Sequence, residues 1–130
     1  MDFNTRFAKI VGTPSLGRDS WIITEVKFFL LLDLSLSSSS ETIAETGKKI
    51  IDELSGKFNQ LENKNLASLK ALVKESFLEE DGVLNIILGT ESKGLFYLVC
   101  QGLGKVLVKR GEKLGTILEN EGGVYGPIKP

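Results

Sequence analysis

Histidine is absent from this chain of 130 residues. That removes the side chain that titrates near neutral pH, every Ser-His or Cys-His nucleophile pair and the commonest zinc ligand. Cysteine occurs once, at Cys100. No internal disulfide can close, and the residue sits in an apolar, strand-like run, so it reads as a buried thiol suited to a reducing compartment. Net charge is almost absent too: 16 basic against 17 acidic residues leave −1, and no overall field draws the protein to nucleic acid or to an anionic membrane. Long apolar runs are missing, since Phe28 to Leu32 falls far short of the ~20 residues a spanning helix needs. The opening Met1-Asp2-Phe3-Asn4-Thr5-Arg6 lacks the basic stretch and apolar core of an export signal. The expectation is a cytoplasmic protein with neither a membrane nor a nucleic-acid partner.

With 42% hydrophobic and 25% charged residues, the chain has the composition of one domain able to bury a single core. Arg6 to Val11 reads as a first strand. Trp21 to Thr24 and Lys27 to Leu36 follow as strands, the second apolar enough to be buried on both faces. Ser38, Ser39 or Ser40 can cap a helix in which Ile43, Gly47, Ile50, Ile51, Leu54 and Phe58 form an inner stripe. Gly47 on that stripe lets helix and sheet approach closely. A second helix carries Leu66, Leu69, Leu72, Val73 and Phe77, with Asn63 or Asn65 as its cap. A meander then runs through Val83–Leu88, Leu95–Cys100, Lys105–Lys109 and Leu114–Leu118. Strands, two helices and more strands predict an α+β fold. Residues 1–121 form the expected domain, and the Gly- and Pro-rich 122–130 reads as a tail rather than a strand.

The best functional lead is Asp33, which ends the apolar run Val26 to Leu32 just before the serine-rich corner. A carboxylate fixed by a buried strand and exposed by a loop suits a metal ion or a polar ligand. Other features have plainer readings. Gly102-Leu103-Gly104 before Lys105 lacks the spacing and following helix of a phosphate loop and reads as a turn. Lys105, Lys109, Arg110 and Lys113 read as a solvated basic face without interleaved aromatics. Trp21, Phe28, Phe29, Phe96 and Tyr97 read as core.

Gly17-Arg18-Asp19-Ser20, Phe28 to Asp33, the Ser37 to Leu54 corner and helix, and Gly94 to Gly102 leading into Val106 to Gly111 together resemble the amino-terminal part of the PPM-type metal-dependent protein phosphatases. The resemblance spans roughly residues 5–118 and implies antiparallel sheets flanked by a helix pair. It implies that Asp33 occupies a metal-binding position and Asp19 an earlier acidic one, with Mg or Mn as the cation. The family's glycine after the metal-binding aspartate is Leu34 here, and its Gly-Asp-Ser-Arg hairpin is Gly102-Leu103-Gly104-Lys105. Two divalent ions need several carboxylates to hold them, so the resemblance implies a degenerate, non-catalytic relative with no cofactor. Half of such a sandwich leaves one apolar sheet face uncovered, which implies a homo-oligomer or a protein partner. A metal-dependent phosphatase and a small-molecule binding module are the alternatives.

Overall fold

The computed structural model describes residues 8, 18–25, 28–36, 43–75, 82–119 and 123–129. Their order is β1 (Arg18–Glu25), β2 (Phe28–Leu36), α1 (Ile43–Gln60), α2 (Leu66–Lys74), β3 (Gly82–Ser92), β4 (Leu95–Gln101), β5 (Lys105–Arg110), β6 (Lys113–Glu119) and β7 (Gly123–Ile128). The fold is α+β. One sheet has the order β1-β2-β3-β4-β7 with every neighbouring pair antiparallel, and β5 and β6 form a separate two-stranded sheet. Of the strand expected at Arg6–Val11 only Ala8 is described, and it is in no helix or strand; the helix cap expected at Ser38–Ser40 and Phe77 of the second helix lie outside the described residues.

Both helices pack on one face of the large sheet. Along β2 the helix-side residues Phe28, Leu30, Leu32, Leu34 and Leu36 are buried, while Phe29, Leu31, Asp33 and Ser35 are only partly so. The apolar run is therefore fully buried on one side rather than two, because side chains of a strand alternate and only one side meets the helices. Helix α1 buries Ile43, Gly47, Ile50, Leu54 and Phe58, the spacing expected of one stripe. Phe58 stacks on Phe28 with ring centroids 4.3 Å apart. The Trp21 indole occupies the space a β-carbon at Gly47 would need, so glycine there sets how closely α1 approaches β1. Helix α2 buries Leu69, Leu72 and Val73 and begins with a capping box in which Asn65 accepts from the Ser68 backbone and Ser68 accepts from that of Asn65. Each fully buried leucine contributes about 2 kcal/mol, so the helix layer carries much of the core.

The opposite face departs from the sequence reading in two places. It is not bare: the meander breaks at Gly102-Leu103-Gly104, and the β5–β6 hairpin folds back so that Leu118, Val106 and Ile117 cluster with Leu98, Cys100, Ile87 and Phe96. The covered part is β3–β4. Nor do residues 123–128 trail away, since they form β7 against β4, with a register irregularity between Phe96 and Leu98. An edge strand tolerates Pro127 because its missing N–H need not pair, and Val124 and Ile128 supply apolar contacts to the two sides of the sheet. The β3–β4 hairpin turns at Lys93 and Gly94, both with positive φ (54° and 74°), as a type I′ turn requires.

Candidate functional site

Asp33 projects from β2 on the face away from the helices, and its side chain is 28% exposed. The antiparallel register sets Ser20 of β1 on one side of it and Asn85 of β3 on the other. Residues directly opposite share a face, so three polar side chains converge in an otherwise apolar stretch. Ser20 Oγ donates to Asp33 Oδ1 at 3.1 Å and Asn85 Nδ2 donates to Oδ2 at 3.2 Å. Arg18, diagonal to Asp33, donates from Nε and Nη2 at 3.4 Å each.

Asn85 continues the chain of bonds. It is 8% exposed, and its Oδ1 accepts from the backbone N–H of Leu103 at 2.6 Å. Only one amide orientation gives the carboxylate a donor and the N–H an acceptor. The adjacent Gly102 has φ +79°, and a β-carbon there would overlap Asn85 Oδ1, so the turn closes on the amide only with glycine. Through Asp33 and Asn85 the cluster joins β1, β2, β3 and the turn that launches the β5–β6 hairpin. Burial pushes the Asp33 carboxyl up, but hydrogen bonds from Asn85, Arg18 and Ser20, with the charge of Arg18, outweigh it and hold the group below its ordinary value. A carboxylate stabilised in this way is a weak base.

The structure does not bring Asp19 to Asp33. Strand alternation sends Asp19 to the helix side of β1, where its Oδ1 accepts the Ser20 N–H at 2.8 Å. Glu91, 4% exposed, is a second carboxylate in the sheet on the Asp33 side, but it stands six residues along β3 from Asn85, about 20 Å away. Among the described residues no group of three or more His, Cys, Asp or Glu side chains could hold a metal ion. The donor set around Asp33 does not fit a divalent cation either: Ser20, Asn85 and Arg18 offer protons and positive charge where an ion needs further oxygen ligands.

Arg18, Ser20 and Asn85 went unnoticed as partners of Asp33 in the sequence. The signal that finds them is a polar residue in each of three apolar strands, at positions that an antiparallel register aligns. A groove between α2 and the β4–β7 edge, lined by Val73, Val99 and Val124 with Lys70 and Lys74 above, has a volume of about 170 Å³. Typical small-molecule sites begin near 300 Å³. Among the described residues no helix is long and apolar enough to cross a membrane. No protein-family model, curated protein or solved structure matches the chain.

Proposed function

We propose that the domain is a non-catalytic interaction or regulatory module, similar in outline to one half of a PPM-type phosphatase sandwich, that associates with a second copy through the face opposite its helices. The observation that carries this reading is the donor shell of Asp33. The one carboxylate placed like a catalytic ligand is occupied in tying strands together, and Asp19 points to the other side of the sheet. The β1–β2 part of the same face adds Ile22, Thr24 and Leu31, all only partly buried, which is the surface that a second sheet layer would cover. Among the described residues the groove beside α2, at about 170 Å³, is smaller than typical small-molecule sites.

Light scattering over a hundredfold range of concentration, run beside an aryl-phosphatase assay with Mn, tests the reading. The expected result is a concentration-dependent dimer that Ile22→Lys dissociates, and no hydrolysis above buffer. A strict monomer, or manganese-dependent hydrolysis abolished by Asp33→Ala, would overturn it.

A further inference from the structure

The outer surface of the β5–β6 hairpin is separate from the β1–β2 face. In its register Leu107 pairs with Thr116 and Lys109 with Leu114. Paired residues share a face, so Leu107 and Leu114 are diagonal neighbours there. Leu107 is 46% exposed and Leu114 65%. Alternation along β5 adds Lys105 to this side, and all five side chains are exposed. Leu103, at the base of the hairpin, is 63% exposed. The inner side, with Val106 and Leu118, is the one spent on the core. A hairpin that buries one apolar side and still presents two diagonally adjacent leucines on the other has more apolar surface than folding alone uses.

Charge specifies what fits this surface. Lys105, Lys109, Arg110 and Lys113 against Glu112 and Glu119 give residues 105–119 a formal +2, so the rest of the chain carries −3 of the total −1. The hairpin is a basic island on an acidic domain. A second copy stacking here about a twofold axis would set Lys105 and Lys109 against the same lysines. Nucleic acid would need stacking rings, and this side carries none. A lipid surface would need apolar side chains at the leading end to enter the acyl layer, but the tip is Arg110-Gly111-Glu112-Lys113.

We infer that the outer face of the β5–β6 hairpin is a docking surface for an extended acidic and apolar segment of another protein, its apolar residues covering Leu107 and Leu114 and its carboxylates meeting Lys109. Because the β1–β2 face is not involved, the surface works in a monomer as well as in a dimer.

The test is fluorescence anisotropy with a labelled peptide of alternating Glu and Leu, beside a Lys-Leu peptide and a Glu-Ser peptide of equal length. The Glu-Leu peptide should bind the whole chain and the other two should not. Affinity should fall about tenfold or more in the double variant Leu107→Ser, Leu114→Ser and in Lys109→Glu, and it should weaken as salt rises from ~50 to ~500 mM. These side chains are exposed, so the variants should keep the circular dichroism spectrum of the wild type. The Ile22→Lys variant should bind as the wild type does, which separates this surface from the proposed dimer. Equal affinity for the Lys-Leu peptide, or binding unchanged in the hairpin variants, would overturn the proposal. Co-sedimentation with phosphatidylserine vesicles that the same variants abolish, in place of peptide binding, would overturn it in favour of a lipid surface.

Discussion

Replacing Asp33 with alanine removes the acceptor at the centre of the polar cluster, and the cost follows from what is left behind. Asn85 is 8% exposed, and its orphaned amide loses a bond in a place water reaches poorly, which costs about 1–3 kcal/mol. Ser20 is half-buried and regains a water partner, adding about 0.5 kcal/mol at most. Arg18 is 63% exposed, so its ion pair contributes about 0–1 kcal/mol after screening. The sum is about 2 kcal/mol. For 130 residues, an unfolding entropy of about 2.1 cal/mol/K per residue gives ~0.27 kcal/mol/K, so Tm should drop by about 7 °C. Thermal unfolding followed by circular dichroism at neutral pH in EDTA is the assay. Asn85→Ala should cost a similar amount, and the double variant less than the two added together, because both break one network. A metal site without its ion is a set of like charges, and losing one of them relieves repulsion. An Asp33→Ala variant as stable as the wild type, or more stable, would therefore refute the structural role given to this carboxylate.

Three further outcomes follow. Gly47→Ala gains about 1 kcal/mol of helix propensity but drives a β-carbon into the Trp21 indole, an overpacking cost of about 1–3 kcal/mol, so chemical denaturation should show net destabilisation and a changed Trp21 fluorescence. Burial pushes the Cys100 thiol up, so Ellman's reagent should react slowly with the folded protein and at the rate of a free thiol in denaturant. The Asp33 carboxyl is lowered by folding, so its stabilisation is present above the unfolded value near 3.8 and is lost as pH falls through the lower folded value. The stability gap between wild type and Asp33→Asn should accordingly narrow in acid and be constant above pH ~5.

The helix layer was legible because periodicity reports burial directly: the stripe from Ile43 to Phe58 and the short one at Leu69, Leu72 and Val73 are the residues the core takes. A cap at Asn63 or Asn65 was legible because such a side chain acts on a backbone group three residues away, and the structure selects Asn65. The β7 strand was not, since an edge position excuses glycine and proline that would break a central strand, and edge position is a property of the sheet. The same holds for the partition of the meander. Nothing local says that β5 and β6 leave the main sheet; the break at Gly102-Leu103-Gly104 marks where, but the cover they give to Leu98 and Cys100 is set by packing. Asp33 stood out by position, whereas its meaning depended on register. Two aspartates fourteen residues apart look like potential co-ligands until the β1–β2 pairing puts them on opposite faces.

Asp33 ties β1, β2 and β3 together, and a domain proposed to bind rather than hydrolyse should hold no metal pair there. Calorimetric titration of the whole chain with manganese chloride at neutral pH tests it most directly. No saturable heat is expected in the wild type, and the same trace is expected in Asp33→Ala. Saturable binding of two ions per chain, lost in Asp33→Ala, would contradict it.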